Sequence, residues 1–320
     1  MPILLEDLIR QLPSDTEERI KQARERFNNR IREALRNETR FFLKRQGDSR
    51  DQGDEIVKVP VQLLAGLPEA LRPRENQTVE DKYRLSILLA PYRHLLTALR
   101  DSSSGALQEL IPTLRSEAGS LPLLDGRDQN IEPVWRYADF LLKKLNEFEL
   151  TRFVLRVNSD LLGIYRYRLE TLWDNPEPRV ELYWGVIALI ARDLGVLLED
   201  LTCVVLAHEL AHAYTHVGVD ADNHSWRTSD FAGSMQELVE GLAQYYTERV
   251  CQRIQDDAPG AIRAYNAFLP HQPPAYQVHA SWRDSRPEHI RLAMLEVRRS
   301  ERPATLVQFA VFLKNARAQL

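Results

Sequence analysis

Apolar residues recur at three- and four-residue steps through the start of the chain. Ile20, Ala23, Phe27, Ile31, Ala34, Leu35 and Phe42 fall on one face of a predicted long helix within a highly charged stretch. Ser14 with Glu17 predicts a capping box at its start. The polar run 47–54 predicts a linker after it. Further helical periods span roughly 79–100, 106–118 and 132–148. None of them carries a motif with chemistry.

The pattern changes near Glu149. Runs 151–157, 162–168 and 179–184 are rich in Val, Tyr, Ile and Phe, with the turn residues Asn158-Ser159-Asp160 and Asp174-Asn175-Pro176 between them. They predict three strands. A helical period returns at Val186, Leu189, Ile190 and Leu194, and Gly195 ends it. Two more helices are predicted, from Leu198 to His216 with a stop at Gly218, and from Ser234 to Ile254. The expected class is α+β. A mainly helical region, 1–149, precedes a domain, 150–320, whose small sheet packs on the helix ending at His216.

A chain of 320 residues suggests two domains, and 44% apolar content allows a sizeable core. The net charge of −4 argues against a generally basic nucleic-acid binder. The long helix is the local exception. Between Arg19 and Arg45 lie ten Lys/Arg against three Glu, a net of +7. An acidic or nucleic-acid partner of this helix is one expectation. A solvated face is the other, and the lack of an aromatic or Gly-rich recognition pattern favours it. Cys203 and Cys251 cannot form a disulfide framework and read as small buried hydrophobes. No apolar run reaches membrane-spanning length, and Met1 to Asp7 lacks the positive segment of a signal peptide, so a cytoplasmic location is expected.

The chemistry is concentrated in His208-Glu209-Leu210-Ala211-His212, inside the apolar stretch that begins at Leu201. Two histidines four apart share a helix face and can close on one zinc ion. Glu209 is rotated by about 100° from His208 and can reach a water in the open coordination position. A catalytic zinc needs a third protein ligand. His216 continues the same stripe, but a helix rises about 6 Å over four residues, so three successive positions on one straight helix converge poorly. His216 then reads as a helix C-terminal or supporting group. Asp220, Asp222 and His224 lie in the following loop. Glu237 and Glu240 lie on the next predicted helix and share a face.

His208-Glu209-x-x-His212 followed by Glu240-Gly241-x-Ala243 resembles the gluzincin zinc metallopeptidases, in a compact intracellular form. The resemblance covers roughly residues 151–255, including the strand-like runs 162–165 and 180–183. It departs from the aminopeptidase branch in Leu242 for an aromatic, in Val239 for Asn, and in a gap of 27 residues between His212 and Glu240. It implies a zincin-like catalytic domain, with Glu240 as third ligand rather than Glu237, Glu209 as general base, and a peptide or protein substrate. It also implies a downstream Tyr or His to stabilise the oxyanion. Tyr265, Tyr276, His279 and His289 are available, and Tyr276 and His279, in a Pro-rich stretch, are the preferred pair. Two alternatives to the peptidase remain: a metal-stabilised regulatory or binding module, and a nucleic-acid-associated protein acting through the basic helix.

Overall fold

The apolar stripe at the start forms one helix because every member of it up to Leu35 is removed from water. A computed structural model describes residues 5–45, 55–56, 59–68, 96–97, 99–100, 136–142, 151, 154–155, 161–167 and 178–319. After a short helix α1 (Leu5–Arg10), the long helix α2 spans Thr16–Thr39. Ile20, Phe27, Ile31 and Leu35 are at most 2% exposed. The expected capping box is not formed. The cap position is Asp15 with no side-chain bond, and Thr16 instead donates its N–H and its hydroxyl to the Pro13 carbonyl, at 3.0 and 2.6 Å. The helix also ends earlier than the stripe. Arg40 turns left-handed at φ 58°, and Phe42 leaves the helix to bridge antiparallel to Val219.

Two short strands, β1 (Lys44–Arg45) and β2 (Glu55–Ile56), pair antiparallel. A three-stranded sheet follows from β3 (Val61–Leu64), β4 (Gly163–Arg166) and β5 (Arg179–Tyr183), in the order β3-β5-β4. β5 is central, parallel to β3 and antiparallel to β4. β3 was not expected. The predicted strand at 151–157 is not one, since residues 151, 154 and 155 are helical. Thr151, Val154 and Leu155 are buried, a three- and four-residue spacing that belongs to a helix in spite of the β-branched composition. The predicted linker and the period 106–118 lie outside the described residues. The periods 79–100 and 132–148 are described only at 96–97, 99–100 and 136–142, which are helical.

β5 runs directly into α3 (Trp184–Leu194), which stops at Gly195. The motif helix α4 is Leu198–Val217. It is apolar almost all round, so it lies in the core and packs against α2, α3 and β4. It also packs against α6 (Gln236–Arg253) and α7 (Ala261–Phe268), which follow the short α5 (Thr228–Gly233). A 3-10 segment, Pro274–Trp282, packs on α6, and α8 (Pro287–Arg299) pairs with α9 (Leu306–Gln319). No helix among the described residues is long and apolar enough to cross a membrane.

The chain divides into two units, but not at residue 149. One unit comprises 5–72 with 154–320, and the other is built from 73–153. In the second, Leu96, Ala138, Leu141 and Leu142 form a small core with Leu99 against it. The basic helix therefore belongs with the motif helix. Its charges act as tethers within this unit. Arg19 pairs with Glu199 at 2.8 Å, Arg26 donates to the Asp257 carbonyl at 2.7 Å, and Arg24 and Arg32 donate to the carbonyls of Val61 and Val59. Glu38, buried on the same helix, accepts from Arg249 and Arg253 of α6, each at 2.9 Å.

A fragment covering only 150–320 lacks α2 and β3 and leaves the apolar surface of α4 uncovered. It should show no cooperative urea transition and bind no stoichiometric metal. A cooperative transition with metal retained would show that α2 is dispensable to the site.

Candidate metal centre

α4 places His208 and His212 one turn apart, and α6 crosses it with Glu240 facing them. The two Nε2 atoms lie 3.1 Å apart. Glu240 Oε2 is 3.2 Å from His208 Nε2 and 3.3 Å from His212 Nε2. These three residues are the one group of candidate metal ligands found among the described residues. The spacing has a simple reading. Ligand atoms at the corners of a tetrahedron around zinc, each at about 2.0–2.1 Å, are separated by about 3.3 Å. Protons alone serve the trio poorly, because a single N–H can lie between the two nitrogens while the carboxylate oxygen faces both. A cation at their centre satisfies all three at once.

All three are 7–8% exposed, so their polar atoms sit in the core. Burial by itself would raise the Glu240 carboxyl, but the imidazoles of His212 and His208 outweigh it and hold the group below the usual carboxylate range. The rings are held from outside. Tyr276 stacks on His208 at 5.6 Å and 24°, and Tyr165 on His212 at 6.4 Å and 7°.

Glu209 is turned away from the trio onto β4. A Cβ at Gly163 would lie 2.7 Å from Glu209 Cγ and 2.9 Å from its Oε1. Glycine in the strand is what admits the carboxylate. That lone glycine in a strand-like run was the available signal for a close approach, and Gly163 had not been singled out as a site residue. Glu209, His212 and Glu240 line a pocket of about 210 Å³ together with Tyr165, Tyr167 and Phe231. A second cavity of about 20 Å³ touches His208, Glu209, Gln244 and Tyr276. It has room for about one water.

The remaining candidates sort by their partners. His216 is 1% exposed and outside the trio. Its Nδ1 meets the Tyr165 hydroxyl at 3.1 Å and its Nε2 the Thr228 hydroxyl at 3.2 Å. Burial, with Arg298 and His212 nearby, lowers its pKa to about 3, so it is neutral at ordinary pH. Asp220 accepts the backbone N–H groups of Asp222 and His224 at 2.9 Å and pairs with Arg299, which also binds Asp222. That loop is folded on itself. Glu237 is half-buried and outside the trio.

Of the two preferred oxyanion candidates, only Tyr276 is at the site. His279 is fully buried and lines neither cavity. Its Nδ1 donates to the Tyr276 carbonyl at 2.9 Å, and its Nε2 lies 2.7 Å from the Tyr265 hydroxyl and 3.5 Å from Glu248 Oε2. Both ring nitrogens are thus engaged inside the fold. Tyr265 is held by the same bond, and His289 is buried on α8. Gly241 admits Trp282 of the 3-10 segment, which a Cβ would meet at 2.7 Å. Both thiols are buried and raised, that of Cys251 to about 12, chiefly by burial.

A scan against protein-family models, a search of curated proteins and a search of solved structures each found no match to this chain. The assignment of ligands can be tested by chelator competition on the purified chain. Glu240→Ala should lose metal outright, as should His208→Ala, whereas Glu237→Ala should change affinity by no more than about 10–100-fold. Wild-type affinity in Glu240→Ala would remove Glu240 from the ligand set.

Proposed function

We propose that the chain is a zinc-dependent metallopeptidase of gluzincin type. The observation that supports this most is the meeting of two kinds of group at one pocket. A buried His–His–carboxylate trio with tetrahedral spacing lies beside a second carboxylate, Glu209, which is outside the trio. Two imidazoles and one carboxylate are the donor set of zinc hydrolases, whereas hard cations such as magnesium take oxygen ligands. A purely structural zinc site is closed by four protein ligands and has no need of an adjacent base.

When bound, zinc supplies a Lewis acid that activates water and polarises a carbonyl. Glu209 accepts the water's proton and passes it to the leaving amine. Gly163 keeps that carboxylate in place from the strand side. β4 has β5 on one side, and among the described residues no strand on the other. An extended peptide can therefore pair with this edge and bring its carbonyl to the trio. Tyr276, held against His208, is the candidate donor to the developing oxyanion.

No observation on α2 favours the nucleic-acid reading, since many of its cationic groups already serve acceptors inside the fold.

Two variants separate base from ligand. Glu209→Gln should keep zinc at one per chain and lower turnover of a peptide library by about 10²–10⁴-fold. Loss of the metal in that variant would make Glu209 a ligand instead. Gly163→Ala should also keep the metal while lowering kcat more than KM, because the added methyl displaces the base. An unchanged kcat would show that the contact with Gly163 has no part in placing the carboxylate.

A further inference from the structure

The pocket beside the trio is more than an access route, because three rings, those of Tyr165, Tyr167 and Phe231, belong to its lining. Tyr167 and Phe231 meet edge to face at 5.3 Å and 88°, and Tyr165 and Tyr167 lie 5.7 Å apart. Phe231 is stacked on the neutral His216 at 4.4 Å and 11° and braced by Trp226 at 5.4 Å. These contacts hold the wall before any ligand arrives, so little ordering is needed on binding. Ile164 and Val239 add aliphatic surface. Two hydroxyls that line the pocket are already committed. That of Tyr165 bonds to His216, and that of Ser234 donates to the Asp230 carbonyl at 2.6 Å and accepts the Ala304 N–H at 2.8 Å.

Size and charge narrow the occupant. An apolar cavity of about 150 Å³ accommodates a benzene ring, and this pocket offers about 210 Å³. No Lys or Arg lines it, and its carboxylates are Glu209 and Glu240. With zinc in the trio the ion's charge is offset by these two carboxylates, so no net positive charge is left to draw in an acidic side chain. A ring can join the existing ring cluster edge to face or offset, an arrangement that aromatic quadrupoles favour.

We propose that this ring-walled recess is a specificity subsite that selects peptides with an aromatic side chain next to the scissile bond. The inference rests on the metallopeptidase reading. Tyr167 and Phe231 are then specificity-determining residues, and Ala232, exposed on α5 at the recess, sets how much room they leave.

The test uses the zinc-loaded full chain and two hydroxamates, one bearing a benzyl group and one a methyl group, with affinities measured by calorimetry. The benzyl compound should bind about 10–100-fold more tightly, the gain expected from burying one aromatic ring. Ala232→Leu narrows the recess from an exposed position and should reduce that ratio at least several-fold. A third compound with a carboxyethyl group should gain no affinity over the methyl one. Equal affinities for benzyl and methyl in the wild-type chain would overturn the subsite while leaving the metal reading intact. Failure of every hydroxamate to bind the zinc-loaded chain would overturn the metallopeptidase reading, and the subsite with it. Peptides with Phe, Ala or Glu next to the cleaved bond should follow the same order in kcat/KM.

Discussion

The structure turns on the burial of three lone-pair donors inside an apolar helix pair. Such groups are costly in a core unless something satisfies them, and the cost rises as water is excluded. α4 is covered by α2 on one side and by α6 and α7 on others, which leaves His208 and His212 with almost no solvent. α6 then has to bring a group that belongs beside two imidazoles. Glu240 meets that demand, and the three together have the geometry to hold a cation. The coverage by α2 is thus as much a part of the site as the motif itself. The tethers from Arg19, Arg24, Arg26 and Arg32, and the pairing of Glu38 with α6, hold the cover in place.

The far end of α4 raises the same problem in a different form. Its last turn is buried, and the backbone around it needs partners. Thr215 turns its hydroxyl back onto the Ala211 carbonyl at 2.9 Å, and the Trp226 N–H reaches the His216 carbonyl at 3.0 Å. Arg298, only 3% exposed, donates to the carbonyls of Gly218 and His224 and lies over the Phe41 ring at 4.0 Å. Burial lowers its pKa to about 10, yet it stays charged at neutral pH. That charge also disfavours a second one nearby, which is one reason His216 remains neutral. A neutral His216 can serve two hydroxyls at once and hold Tyr165 where its ring supports His212.

How much of this was legible in the chain depended on how local the signal was. The motif helix, α3, α6 and the ends of β4 and β5 follow from periods and turn residues within a few positions. Gly195 and Gly218 mark helix ends in both the sequence and the structure. β3 was invisible because Val61-Gln62-Leu63-Leu64 is short and its meaning comes from β5, over a hundred residues later. The run 151–157 reads as a strand by its β-branched residues, but strand propensity depends on packing context, and the burial spacing of Thr151, Val154 and Leu155 overrode it. The division of the chain was misjudged for a related reason. Composition shifts near Glu149, but what binds α2 to α4 is contact across nearly two hundred residues, such as Arg19 with Glu199. Within the site, Glu240 was accessible by resemblance to gluzincins, while the role of Gly163 depends on a contact between elements that no spacing rule predicts.

The proposed function asks one helix to be closed on one face and open on another. His208 faces Tyr276 and the 3-10 segment, beside a small cavity of about 20 Å³. His212 and Glu240 face the larger pocket, with Glu209 at its edge and β4 alongside. The rotation of about 100° between neighbouring helix residues divides these duties. The same turn of α4 that sends His208 into the core sends Glu209 to the strand. On the metallopeptidase reading, a substrate in this pocket would lie beside β4 and the rings of Tyr167 and Phe231. On that reading chemistry and selection would be coupled, because one strand, beginning at Gly163, supplies both the contact that places the Glu209 carboxylate and, at Tyr165 and just beyond at Tyr167, rings that line the pocket.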